Sequence, residues 1–129
     1  MTSERNLKIL IVEDNPGIRQ IIADILRAKG FNNTTYADNG KIGWNQLEND
    51  IPNLLILDWD MPVMNGMELL KKIRADEKYE TMPILMLTAR AEQNDVIQAI
   101  QNGATDYIVK PFAPDTLYSK LASIFGQPV

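Results

Sequence analysis

Four places in the chain carry residue types able to do chemistry, and each follows a short apolar run. Glu13-Asp14 follows L-K-I-L-I-V, Asp58 follows L-L-I-L, Thr88 follows P-I-L-M-L, and Lys110 follows D-Y-I-V. A further acid, Asp60, stands two residues beyond Asp58 in N-L-L-I-L-D-W-D-M-P-V-M-N-G. A carboxylate at the edge of a dry apolar run is costly unless something offsets its charge. Clustering the acids raises that cost, because two carboxylates about 4 Å apart interact by roughly 4 kcal/mol at an effective dielectric of about 20. One lysine does not neutralise three acids. A hard divalent cation does, and carboxylate, carbonyl and water ligands point to Mg²⁺. A carboxylate coupled to Mg²⁺, with a hydroxyl and an ammonium nearby, is equipped for phosphoryl transfer. Asp58 is then the nucleophile, while Lys110 and the cation bear the charge on the equatorial oxygens.

For these groups to converge, the chain must bring its strand ends together. Strands are expected at Leu7 to Val12, Thr34 to Ala37, Leu54 to Leu57, Pro83 to Leu87 and Asp106 to Val109. Between and after them come helical patterns. The first opens at Asn15-Pro16-Gly17, a cap followed by proline at the first helical position, and presents Ile18, Ile21, Ile22, Ile25 and Leu26 before Gly30 ends it. The others run from Gly40 to Asn49 (Ile42 and Leu47 inward), Gly66 to Ala75 (Met67, Leu70, Ile73), Ala91 to Asn102 (Val96, Ile97, Ile100) and Pro114 to Phe125 (Leu117, Leu121, Ile124). Five strand–helix alternations with short connections predict a doubly wound α/β fold, a five-stranded parallel sheet with helices on both faces. In such sheets, sites form outside the carboxyl ends of the strands, where all the residues above fall.

Composition excludes several other chemistries. The 129 residues are 45% hydrophobic and 23% charged, which suits one domain over residues 1–129. No Cys and no His are present, so disulfides, thiolate sites, His triads and His metal ligands are ruled out. The net charge of −4, without a long basic run, argues against direct binding of nucleic acid. The start, M-T-S-E-R-N-L-K, resembles no signal sequence, and no apolar run reaches membrane-spanning length. A cytoplasmic protein is expected.

The marks taken together resemble the response-regulator receiver domains (CheY-like) of bacterial two-component signalling, over essentially the whole chain. They are Glu13-Asp14, the D-x-D-M-P-x-M-x-G run from Asp58 to Gly66, Thr88-Ala89, and Lys110-Pro111-Phe112. The resemblance implies that Asp58 accepts a phosphoryl group from a phosphohistidine on a histidine kinase or histidine phosphotransfer protein, so that the protein is a signalling switch rather than an enzyme. It implies Mg²⁺ coordination by Asp14, Asp58 and the backbone carbonyl of Asp60, with Glu13 acting through water. Thr88 would hydrogen-bond the phosphoryl group, Lys110 would pair with it, and the Lys110-Pro111 bond would be cis. Tyr107 resembles the switch aromatic that turns inward when Thr88 moves. The output face would be the fourth helix, fifth strand and fifth helix, roughly Ala91 to Asn102 and Tyr107 to Phe125, in a monomer or a phosphorylation-dependent dimer.

Some positions are particular to this chain. The resemblance implies that Asp60 and Arg90 flank the path of the hydrolytic water, at positions that in relatives influence how long the phosphoryl group lasts, and an acid and a base there are expected to pair across the pocket mouth. Ala113 predicts a weak cap on the last helix. Trp59 is expected to be partly exposed beside the site. Three rival readings are a receiver-like docking scaffold without phosphorylation, a D-x-D phosphatase and a flavodoxin-type module. The phosphatase motif wants Thr or Val where Pro62 stands, and the loop E-D-N-P-G is anionic where a flavodoxin-type module needs a hydroxyl-rich phosphate loop. A free-standing regulator, a phosphorelay shuttle and a module of a longer protein all remain open.

Overall fold

The computed structural model describes residues 6–129; the first five residues of the stretch M-T-S-E-R-N-L-K lie outside the described residues. Ten elements alternate: β1 (Ile9–Val12), α1 (Pro16–Arg27), β2 (Thr34–Ala37), α2 (Gly40–Asn49), β3 (Leu54–Leu57), α3 (Gly66–Arg74), β4 (Ile84–Thr88), α4 (Gln93–Gln101), β5 (Asp106–Val109) and α5 (Pro114–Phe125). A 3₁₀ turn, Glu77–Tyr79, lies between α3 and β4. The strands form one parallel sheet in the order β2-β1-β3-β4-β5. The expected fold class is therefore the observed one.

Because strand side chains alternate, the sheet has two apolar faces. Leu10, Val12, Leu55, Leu57, Ile84 and Met86 face the side packed by α2, α3 and α4, where Leu47, Leu69, Ile73 and Ala99 meet them. Ile9, Ile11, Leu54, Ile56, Leu85, Leu87 and Ile108 face α1 and α5, against Ile22, Leu26, Leu117 and Leu121. The caps follow the chemistry of their residues. Asn15 accepts from the Ile18 N–H, Asn39 from Ile42, and Asn65 with Glu68 forms a reciprocal capping box. Ala113 makes no side-chain cap, as expected.

Three helices turn their faces differently from the pattern of large apolar residues. Ile21 is 52% exposed on α1, Ile42 is 39% exposed on α2, and Ile97 and Ile100 are 43% and 45% exposed on α4. On α2 and α4 the reason is close approach to the sheet. A Cβ on Gly43 would lie only 3.1 Å from Val12 Cγ2, and Ala99 is fully buried. Small residues, not the isoleucines, face the core there. The bounds differ slightly too: β1 starts at Ile9 rather than Leu7, β4 excludes Pro83 and takes in Thr88, α3 stops at Arg74, and α4 starts at Gln93.

The loop from β3 to α3 holds one strained residue. Val63 has φ 70°, a left-handed conformation that a β-branched side chain disfavours, and it is 76% exposed. Left-handed backbone costs a non-glycine residue roughly 1–2 kcal/mol, and glycine gives back roughly 0.5–1 kcal/mol through unfolded-chain entropy. Val63→Gly is thus expected to stabilise the protein by about 0.5–1 kcal/mol, read as a higher urea midpoint at unchanged m value.

Candidate metal and phosphoryl-acceptor site

The carboxyl edge of the sheet gathers the predicted residues. Glu13 leaves β1, Asp58 leaves β3, Thr88 ends β4 and Lys110 follows β5. Glu13, Asp58 and Thr88 are buried, at 2%, 6% and 0% exposure, whereas Asp14 is exposed. One carboxylate oxygen each from Glu13, Asp14 and Asp58 lies within 4.8 Å of the others. Lys110 reaches two of these acids: its Nζ donates to Glu13 Oε1 at 2.8 Å and to Asp58 Oδ2 at 3.4 Å. The Lys110-Pro111 peptide is cis.

Backbone contacts fix Asp58 and Glu13. The Asp58 N–H donates to the Val12 carbonyl at 3.0 Å, and Asp58 Oδ1 accepts from the Trp59 N–H at 2.7 Å. Glu13 Oε2 accepts from the Asn15 N–H at 3.1 Å. Burial raises the Glu13 pKa, partly opposed by the Lys110 and Asn15 hydrogen bonds. Burial also works against the Lys110 ammonium, but its bond to Glu13 and the charge of Asp58 outweigh that and raise its pKa. The lysine therefore stays charged between two acids. An all-oxygen donor set with three carboxylates suits a hard divalent cation, and so Mg²⁺ fits these residues.

Asp60 and Arg90 do pair across the mouth. The guanidinium donates to both Asp60 oxygens at 2.7–3.1 Å, and its Cζ lies 4.6 Å from the centre of the Trp59 ring. This corrects the expectation for Trp59: it is 6% exposed, buried in the core beneath Arg90. The Arg90 main chain serves a different partner. Its N–H lies 3.4 Å from Thr88 Oγ1, and its carbonyl accepts from the Tyr107 hydroxyl at 2.8 Å. Tyr107 already lies inward, 8% exposed.

Burial, then the Asp95 carboxylate, pushes the Tyr107 phenol up to about 12, with Asp60 and Asp58 adding to the rise and Arg90 opposing it. Folding thus holds the phenolic proton more tightly than the unfolded chain does. The associated stability is complete below about pH 10 and is lost as pH rises through about 12. Compared with Tyr107→Phe, the wild type is expected to lose about 2–3 kcal/mol more over that window, measured by urea unfolding at each pH.

The structure brings Glu13, Asp14, Asp58 and Lys110 together at one edge of the sheet, with Thr88 at the adjoining strand end. One residue that sequence reasoning missed also touches the site. Arg19 donates to the Glu13 carbonyl at 2.9 Å, and its other partner, Asp38, is 19 positions away in sequence. No local pattern signals such a contact.

A sequence profile described as the response regulator receiver domain matches residues 9–122. The chain belongs to the response-regulator receiver family. Among its relatives, chemotaxis protein CheY-3 of Vibrio cholerae is 46% identical over 123 residues, covering 95% of each chain. The chemotaxis protein CheY homolog of Campylobacter jejuni is 43% identical over 121 residues, covering 93% of each. Receiver structures superpose closely. Vibrio cholerae CheY4 does so with a TM-score of 0.84 at 33% identity, covering 92% of this chain and 98% of that one. A two-component response regulator from Clostridium difficile gives 0.85 at 27% identity, covering 94% and 97%. This receiver is thus of the CheY type, in a family of two-component signalling switches. No helix among the described residues is long and apolar enough to cross a membrane.

Proposed function

We propose that this receiver, acting as one unit over residues 1–129, takes a phosphoryl group on Asp58 from a phosphohistidine of a histidine kinase or histidine phosphotransfer protein. The observation that carries the reading is the Lys110 ammonium held between Glu13 and Asp58, with three acid oxygens gathered beside it. An Asp58 oxygen attacks phosphorus, the P–N bond to the donor imidazole breaks, and the imidazole leaves with the bonding pair. Asp14, Asp58, the Asp60 carbonyl and, through water, Glu13 would hold Mg²⁺, which when bound neutralises charge on the transferring group. Lys110 pairs with the phosphoryl oxygens and the Thr88 hydroxyl donates to one of them.

Phosphorylation adds about −1.5 to −2 charge and strong acceptor oxygens. Drawing Thr88 toward them moves the segment to which Arg90 and Tyr107 are bonded. The change is read on α4, β5 and α5, where Ile97, Ile100 and Val109 are exposed for a protein target. Converting such a switch from about 1:99 to 99:1 takes roughly 5.5 kcal/mol of differential stabilisation. Several charge-assisted hydrogen bonds are of that order. This work is done in the cytoplasm, by protein contact rather than on nucleic acid.

Intact-mass spectrometry after incubation with acetyl phosphate and Mg²⁺ tests the reading. One added phosphoryl group is expected, absent in Asp58→Asn and in EDTA. No adduct, together with no Mg²⁺ binding and no binding of a phosphoryl analogue, would leave a docking scaffold that is not regulated by phosphorylation.

A further inference from the structure

Beneath the acid pair lies a guanidinium that the chemistry above does not use. Arg19 is the fourth residue of α1, and its Nη1 donates to the Glu13 carbonyl at 2.9 Å and to Asp38 Oδ1 at 2.7 Å. Its Cζ sits 4.7 Å from the centre of the Tyr36 ring. Only 14% of the Arg19 side chain is exposed, against 65% of that of Asp38. The contact therefore runs from α1 back to the end of β1 and across to the segment between β2 and α2.

What it holds is the peptide that leads to Asp14. The Glu13 N–H is tied to the Ala37 carbonyl at 3.1 Å, and the Glu13 carboxylate is tied to Lys110 and to the Asn15 N–H. The Glu13 carbonyl belongs to the Glu13–Asp14 peptide plane. Rotation of that plane swings Asp14 relative to Asp58, so a donor on this oxygen controls whether the three acid oxygens stay together. Aromatic packing and Asp38 leave the guanidinium little freedom, which makes it a firm anchor.

We propose that Arg19 is a positioning residue for cation binding: it fixes Asp14 through the Glu13 carbonyl, and Asp38 acts through Arg19. The inference rests on the reading of Glu13, Asp14 and Asp58 as a Mg²⁺ site. Partners that orient metal ligands without touching the ion commonly carry about 10- to 100-fold in affinity.

The test is calorimetric titration with Mg²⁺ of the wild type, Arg19→Met, Arg19→Lys, Asp38→Asn and Asp14→Asn, at a temperature where circular dichroism shows each folded. Arg27→Met is the control, since Arg27 pairs with Asp24 on the exposed side of the same helix. Arg19→Met is expected to bind Mg²⁺ about tenfold more weakly, Arg19→Lys to recover part of the loss, and Asp38→Asn to lose less than Arg19→Met. Arg27→Met should bind as the wild type does. A folded Arg19→Met with wild-type affinity overturns the proposal. So does an equal loss in Arg27→Met, which marks general weakening of α1. A wild type that takes up no Mg²⁺, or an Asp14→Asn that binds like wild type, overturns the metal reading itself and the proposal with it. Should Arg19→Met not fold, Arg19→Lys and Asp38→Asn decide: graded losses support positioning, and wild-type affinity in both overturns it.

Discussion

Gly66→Ala is expected to remove about 3 kcal/mol of stability and to slow phosphoryl uptake from acetyl phosphate roughly 100-fold. The helix α3 starts so close to the end of β3 that a Cβ on Gly66 would lie 1.9 Å from the Asp58 carbonyl oxygen, 2.8 Å from its carbonyl carbon and 2.9 Å from Trp59 Cα. All three atoms are backbone, so no rotamer change relieves the overlap. The Gly66 N–H also donates to the Trp59 carbonyl at 2.8 Å, which locks α3 onto the acceptor segment. Added bulk must therefore displace Asp58 or the helix. Gly126→Ala is the contrast: Gly126 has φ 72° but nothing within 4 Å, so its loss should be a backbone cost of about 1 kcal/mol with uptake unchanged. Urea unfolding and the time course of the mass adduct read the two effects separately. Equal stability losses for both glycines would sink the steric account.

The second large effect lies at the other end of the sheet. Arg74→Met is expected to cost roughly 3–4 kcal/mol by urea unfolding, because hydrogen bonds to a charged group carry about 1.5–3 kcal/mol each and partial hydration tempers their sum. From the end of α3, Arg74 donates to three carbonyls: Gly103 through Nε at 2.9 Å, Tyr79 through Nη1 at 2.8 Å and Met82 through Nη2 at 2.7 Å. It thereby ties α3 to the 3₁₀ turn, the entry to β4 and the entry to β5. Burial lowers its pKa, though it stays cationic at any ordinary pH. Arg74→Lys should recover less than half of the loss, since an ammonium does not span the three carbonyls at once. Gly103→Ala should also be costly, because its φ is 109° and a Cβ would fall 2.5 Å from Arg74 Cγ. A loss below about 1 kcal/mol for Arg74→Met would show the carbonyls to be well satisfied by water.

Much of this protein was legible in its residues alone, for a physical reason. β-Branched and leucine runs of four or five residues between amphipathic stretches admit few arrangements other than a parallel sheet with helices on both faces. Once the strands are parallel, the residue after each apolar run must emerge at the same edge, so Glu13, Asp58, Thr88 and Lys110 converge without any contact being known in advance. The cap at Asn15 and the missing one at Ala113 likewise follow from local side-chain chemistry.

Tertiary structure alone decided which helix faces turn inward and what braces the site. Periodicity weighs large apolar residues, yet α2 and α4 approach the sheet through Gly43 and Ala99, which leaves Ile42, Ile97 and Ile100 outside. Trp59 is expected from sequence to be partly exposed beside the site, but the cation over its ring and the core beneath it bury it. Arg19 and Arg74 find their partners across 19 and 29 positions of sequence. A long, flexible cationic side chain leaves no local trace of the carbonyl it will reach, and only the packed chain selects it.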